Sequence, residues 1–213
     1  MRIAVLIYGR LNKCALHHQN IMESLGSDND IDFFCSSDNS SESLLSDFVS
    51  LYKPILYNNN PINYMNELHD YCNKLNINYS LWRENLNCHN MYCHFTNKNR
   101  VLILLEEHIN RNNVQYDCVV SLRIDVIFKN NFVFSSLEDN TIYIPIGSDW
   151  EGGINDQIAY GNIDVMKKYN SINFVDLLKK KLCVIHPETA NMANIKYYNL
   201  KIQRIDLSYH LDK

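Results

Sequence analysis

A chain of 213 residues and 25.0 kDa is long enough for one domain with its own core and too short for two large ones. With 46% hydrophobic and 21% charged residues it has the balance of an ordinary globular protein, which excludes a disordered chain and a coiled coil. Twenty Lys plus Arg against 24 Asp plus Glu leave a net charge of -4, so there is no basic field for a nucleic-acid backbone, and no apolar run approaches the ~18 to 20 residues of a membrane span.

Arg2 to Tyr8 is a short apolar run rich in β-branched residues and closed by Gly9, the pattern of a buried, central strand. Leu11, Ala15, His18, Met22 and Leu25 then recur at helical spacing, with Gly26 as a stop. Ile31 to Cys35 reads as a second strand, running into the polar cluster Ser36-Ser37-Asp38-Asn39-Ser40 and a helix from Glu42 to Leu51. Lys53 to Tyr57 is a third strand, and Asn58-Asn59-Asn60-Pro61 separates it from a helix between Ile62 and about Leu75. The longest helix runs from Met91 to about Asn110, where Val101, Leu102, Leu104, Leu105 and Ile109 form an apolar face. It leads into the apolar strand Tyr116 to Ile124, which ends at Asp125. Short β pieces follow at Val126 to Phe128, Phe132 to Phe134 and Thr141 to Ile146. Helices near Ile163 to Tyr169 and Phe174 to Lys181, another opening at Pro187, and a strand from Lys201 to Leu207 complete the chain. Alternating helices and buried strands predict an α/β sandwich around a mostly parallel sheet of about six strands, formed as one domain over residues 1–213.

Seven cysteines, odd in number and several in apolar runs, behave as small hydrophobes and suit a reducing, cytoplasmic setting. Asparagine occurs 30 times, an excess that makes the glycosylation triplets at Asn39 and Asn78 expected by chance. Cys88-His89 and Cys93-His94 place four soft ligands close together, but that spacing is too tight to wrap a zinc tetrahedron in the manner of a common finger. Lys179-Lys180-Lys181 reads as a solvated helix end.

Ligands of open α/β sheets settle at the carboxyl ends of the strands, so the residues just after each strand carry the functional reading. Tyr8-Gly9-Arg10 has one glycine where a dinucleotide fingerprint needs three, and no Gly-Lys-Ser/Thr triplet of a P-loop occurs. Gly9 allows a close backbone approach and Arg10 offers a planar donor fork to a phosphate. Arg123 and Asp125, two apart, fall on one face of the strand, as an internal ion pair or as a carboxylate for a divalent cation with an arginine on the same phosphates. Asp149-Trp150-Glu151-Gly152-Gly153 combines acids, an aromatic ring and glycines directly before Asn155-Asp156-Gln157, which suits either a sugar-facing wall or a surface turn.

An apolar strand opened by Tyr116-Asp117 and ended by Arg123-Ile124-Asp125 resembles the degenerate Asp-x-Asp signature of GT-A glycosyltransferases. The likeness is to the Arg-x-Asp variant of capsular, lipopolysaccharide and large-virus enzymes, including the chlorella-virus enzymes of capsid-glycan synthesis. Tyr8-Gly9-Arg10 resembles the nucleotide-binding start of those enzymes, Asn155-Asp156-Gln157 with Tyr160-Gly161 their Asp-Gln segment, and His186-Pro187-Glu188 their His-Pro-Glu element.

The resemblance implies a GT-A-like three-layer fold and transfer of a hexose or deoxyhexose from a UDP-sugar to a glycan acceptor. It implies Mn2+ or Mg2+ on Asp125, and Tyr8, Gly9, Arg10, Ser36, Ser37, Asp38 and Arg123 about the nucleotide. It places Asp156 and Gln157 at the anomeric carbon, which favours retention; inversion would require a carboxylate base such as Asp149 or Glu151. Trp150, Glu151 and Glu188 are the candidates for sugar or acceptor contact. The first acidic position of the signature is Arg123, so a second protein ligand must come from elsewhere, with Asp149, Asp38 and His210 as candidates. Large-virus kinship would place the protein in a host cytoplasm, with partner domains in a longer polypeptide. A non-catalytic sugar-nucleotide or glycan-binding domain is the first alternative. A metal-dependent phosphohydrolase or nucleotidyltransferase is the second, and Asp125 lacks the Asp-x-Asp-x-Thr/Val context of the common phosphatases.

Overall fold

The structure, a computed structural model, describes residues 1–38, 40–62, 74, 88–134 and 136–212, the side chains of Cys88 and His89 excepted. The helix expected from Ile62 to Leu75, Cys72, the triplets at Asn39 and Asn78, and the Cys88-His89 half of the zinc candidate lie outside these residues.

Seven strands form the main sheet: β1 (Arg2–Tyr8), β2 (Asp30–Ser36), β3 (Leu56–Asn58), β4 (Cys118–Arg123), β6 (Thr141–Pro145), β7 (Ile158–Gly161) and β8 (Lys201–Ile205). Their order is β3-β2-β1-β4-β7-β6-β8. Strands β3, β2, β1 and β4 run parallel, β7 lies antiparallel to β4 and β6, and β8 is parallel to β6. Two strands outside this sheet, β5 (Val126–Phe128) and β9 (Tyr209–Leu211), pair antiparallel beside its carboxyl end.

Strand alternation divides the core between the two faces. From β1, Ile3, Val5 and Ile7 join the cluster formed with α1 (Cys14–Leu25) and α2 (Glu42–Tyr52). Ala4, Leu6 and Tyr8 join the cluster formed with α3 (Cys88–Asn112), α4 (Ile163–Asn170) and α6 (Pro187–Tyr197). Being apolar on both faces, β1 can only be central. A third cluster joins Met91 and Phe95 of α3 to α5 (Phe174–Lys179) and α6.

The helix boundaries have local causes. The Ser41 hydroxyl accepts from the Leu44 N–H to start α2, the Asn162 side chain caps α4 at Val165, and Pro187 opens α6 where its missing N–H costs nothing. Phe132 to Phe134, expected as a strand, is irregular; it packs Phe132 and Phe134 onto Tyr160 in place of pairing. Strands β7 and β9 were hidden in the sequence, β7 inside the Asp-Gln segment and β9 after the expected last strand.

Candidate functional site

Parallel pairing of β1 with β2 and β4 sets Tyr8 opposite both Ser36 and Arg123, so three strand ends open onto one edge. There a cleft of about 440 Å³ is lined by Tyr8, Gly9, Arg10, Asp38, Arg123, Asp125 and Asp156, seven of the residues expected from the sequence. Gly9 turns the chain out of β1 with φ 106, a backbone conformation that side-chain-bearing residues rarely adopt, and its N–H donates to the Ser36 carbonyl at 3.1 Å. Ser36 and Ser37 lie under the floor and are fully buried. The Ser36 hydroxyl donates to Asn97 Oδ1 at 2.8 Å and the Ser37 hydroxyl donates to Asn59 Oδ1, so both brace the strand end. The Asp38 carboxylate accepts from the Ile62 N–H at 2.8 Å.

Arg123 and Asp125 form the ion pair that their spacing allowed. Nε donates to Oδ1 at 2.9 Å and Nη2 to Oδ2 at 2.6 Å, a two-point fork at the cleft mouth. Burial works against the Arg123 charge, but Asp125 outweighs it and holds the guanidinium above its ordinary range. The last strand adds Asp212 to the rim: its N–H donates to the Asp125 carbonyl at 2.9 Å, and its carboxylate lies 2.8 Å from Lys13 Nζ and 3.3 Å from His17 Nε2.

Beneath this rim lies a group that the sequence reading did not anticipate. His94 and Lys98 stand one turn apart on α3 and face Asp156, which is 2% exposed. His94 Nε2 is 3.2 Å from Asp156 Oδ2, and Lys98 Nζ sits 4.0 Å from the centre of the Tyr169 ring. The Tyr8 hydroxyl donates to the Asp156 carbonyl at 2.7 Å. Burial raises the Asp156 carboxyl, against Arg123 and Lys98, which favour its ionised form. Burial likewise lowers Lys98 to about 7, with Asp156 opposing, and drives His94 well below its usual range, keeping the imidazole neutral. The signal was present in the sequence: Lys98 lies three residues before Val101 on the apolar face of α3, where a charge needs a buried partner.

Gln157 faces the other way. It lines a second cleft of about 370 Å³ with Asp149, Trp150, Glu188, His186 and Tyr209. The Tyr209 hydroxyl donates to Gln157 Oε1 at 2.8 Å, and the Asn155 amide donates to the Tyr209 oxygen at 2.7 Å. Trp150 stacks on His186 with ring centres 3.7 Å apart, and His186 Nδ1 contacts Glu188 Oε2. Burial, and then Asp156, push the Glu188 carboxyl up to about 7. The loop from 149 to 154 is welded to the start of α6: the Ile154 N–H donates to the Glu188 carbonyl at 3.0 Å, and a Cβ on Gly153 would sit 2.6 Å from the Thr189 backbone nitrogen. Glu151 lies in an exposed turn and lines neither cleft.

The three proposed extra metal ligands are dispersed. Asp38 lines the first cleft, while Asp149 and His210 line the second, where Arg204 Nη1 sits 3.0 Å from Asp149. Among the described residues no three His, Cys, Asp or Glu side chains group to hold a metal. Asp125, a quarter exposed at the mouth of the first cleft, has both carboxylate oxygens engaged by the Arg123 fork, and Asp38, Asp156 and Asp212 line the same cleft.

No helix among the described residues is long and apolar enough to cross a membrane. The sheet and its flanking helices have a GT-A-like fold. A crystal structure of an active-site mutant of LgtC superposes with a TM-score of 0.52 at 13% identity, over 94% of this chain and 72% of that one. The galactosyltransferase LgtC in complex with donor and acceptor sugar analogs gives 0.50 at 12%, with the same coverage. No curated protein sequence matches. A family model described as "Domain of unknown function (DUF7796)" matches residues 88–211, more than half of the chain.

Proposed function

The chain belongs to the DUF7796 family, and on that premise we propose that residues 1–213 form one catalytic domain, a glycosyltransferase that moves a hexose or deoxyhexose from a UDP-sugar to a glycan acceptor. The observation that carries this reading is the pair of clefts divided by Asp156 and Gln157 at the carboxyl edge of a GT-A-like sheet. One cleft takes the nucleotide, with Gly9 against it and Arg10 and Arg123 offering guanidinium groups to the diphosphate. A divalent cation, Mn2+ or Mg2+, would be held by Asp125 and would neutralise charge growing on the departing diphosphate.

His94 Nε2 lies 3.2 Å from the Asp156 carboxylate on the donor side, and Tyr209 fixes the Gln157 amide on the side of the second cleft. With the anomeric carbon between the two clefts, the acceptor approaches from the side of the leaving group and configuration is retained. The bond from acceptor oxygen to C1 forms as the bond from C1 to phosphate oxygen breaks, and the acceptor proton goes to the departing phosphate. The setting we propose is synthesis of viral or surface glycans.

A binding-only domain is the second reading, favoured by the Arg123 fork that already occupies both Asp125 oxygens. Incubation with a panel of UDP-sugars, Mn2+ and pooled acceptor glycans separates the two. Transfer that disappears in Asp125→Ala supports the enzyme, whereas nucleotide binding without turnover supports the binding domain. Release of free sugar without transfer would point to a hydrolase. Saturation with UDP at ~100 times its dissociation constant adds ~2.7 kcal/mol of stability, a rise of roughly 5 to 10 °C in melting temperature. Absence of any rise would remove the donor site.

A further inference from the structure

We propose that the second cleft is the acceptor subsite, and that it takes a neutral or amino sugar, whose ring lies against the Trp150–His186 stack while a hydroxyl or ammonium donates to Glu188. The inference rests on the transferase reading above and assigns the cleft which that reading leaves open.

Three observations carry it. The first is position: Asp156 borders one cleft and its chain neighbour Gln157 the other, so a sugar in the second cleft stands one residue's width from a donor in the first. The second is the wall. Trp150 and His186 lie nearly parallel, at 17°, and present an amphipathic aromatic surface of the kind that packs against the C–H face of a pyranose. The third is charge. No lysine or arginine lines the cleft, and its ionisable lining consists of Asp149, Glu188, His186, Tyr209 and His210. The nearby Arg204 guanidinium is engaged by Asp149 and by the Pro145 carbonyl, and His186 Nδ1 is turned to Glu188. A uronic or sialic acid would bring a third carboxylate to Asp149 and Glu188, an unfavourable like-charge contact. An ammonium or hydroxyl donor meets complementary groups.

The cleft is also set before any ligand arrives. Gly153 welds its Trp150 loop to α6, and Tyr209 bridges Gln157 and Asn155. Little ordering then remains to oppose sugar binding.

The test uses the full chain saturated with UDP and Mn2+. Methyl glycosides of glucose, galactose, mannose, xylose, rhamnose, glucosamine and glucuronic acid are titrated while the Trp150 indole N–H signal, assigned through Trp150→Phe, is followed by NMR. At least one neutral or amino glycoside should shift that signal, and the glucuronide should not. Glu188→Gln should weaken the binding about tenfold or more, the loss of one charge-assisted hydrogen bond. In the Trp150 variants binding is followed through saturation transfer to the glycoside protons; Trp150→Ala should abolish it and Trp150→Phe should restore part of it. The UDP-induced melting shift, measured in each variant, must stay as in the wild type, which also certifies folding. If UDP binds and no glycoside moves the indole signal, if the glucuronide binds as well as the neutral sugars, or if Glu188→Gln binds unchanged, the acceptor assignment fails while the donor site stands. If glycosides bind as expected and UDP does not, the transferase reading fails and the sugar site remains.

Discussion

The two clefts share a wall and differ in how their charges are kept. In the first, Arg123 at the mouth and the buried Lys98 favour the ionised form of an Asp156 that water hardly reaches, beside a neutral His94. In the second, charge is held in pairs whose contacts a ligand could replace, Asp149 with Arg204 near the surface and Glu188 with His186 deeper in the wall. A buried constellation holds its geometry whatever is bound, whereas a carboxylate paired at a cleft wall can trade one partner for another. The first arrangement suits holding a reacting sugar and the second suits recognising an incoming one.

The largest effect should come from Lys98→Met, which removes a buried cation that favours the ionised form of Asp156. It should cost about 3 kcal/mol at pH 7, and the double variant with Asp156→Asn should recover most of that loss in urea titrations. Full stability in Lys98→Met alone would mean that the first cleft has no compensated charge, and the contrast would collapse.

Gly153→Ala comes next. Its Cβ would strike backbone that cannot yield cheaply, so we expect a loss of about 2 kcal/mol, with UDP binding kept and glycoside binding reduced. The reverse pattern would show that the clefts are not separable.

The third effect is a pH dependence. The folded carboxyl of Glu188 titrates at about 7, above its ordinary 4.5, so the fold binds more protons there than the unfolded chain does. Stability from this group is complete below pH 4.5, declines between 4.5 and 7, and is flat above. Melting curves should therefore show Glu188→Gln gaining on the wild type across that window, while neutral-sugar affinity of the wild type rises as pH passes 7. A constant gap across the window would place Glu188 in water.

The smallest effect should be that of Ser36→Ala. It should cost about 1 to 2 kcal/mol through the orphaned Asn97 amide and change UDP affinity by less than about twofold. A tenfold loss of UDP affinity would return Ser36 to the nucleotide.

The sequence made the strand ends legible because apolar runs that stop at a charge or a glycine state where a sheet meets water. Tyr8, Arg10, Asp38, Arg123 and Asp125 meet in one cleft for that reason. Periodicity gives no register, however, so it could not show that Ser36 and Ser37 turn inward to Asn97 and Asn59. It could not show that Asp156 and Gln157 serve different clefts, since β7, which begins directly after them and whose pairing with β4 extends to the Gln157 carbonyl, was not recognised as a strand. Lys98 was obscured by the apolar face of α3 on which it stands, and His94 stood out only as a soft ligand beside Cys93. Asp212 joins the site through pairing of β9 with β5, across more than eighty residues of chain, a distance over which local pattern carries nothing.

The depth of Lys98 has a consequence for ionic strength. Mobile ions screen charges that they can approach, and a lysine enclosed by Tyr8, Tyr169 and Asn191 is beyond their reach. Added salt should weaken attraction of a diphosphate to Arg10 at the rim while leaving the field under Asp156 as it was. In the proposed transferase, capture of the nucleotide, which a salt gradient can tune, would thus be separate from the posture of the group beneath the sugar, to which the surrounding solution has no access except through the proton.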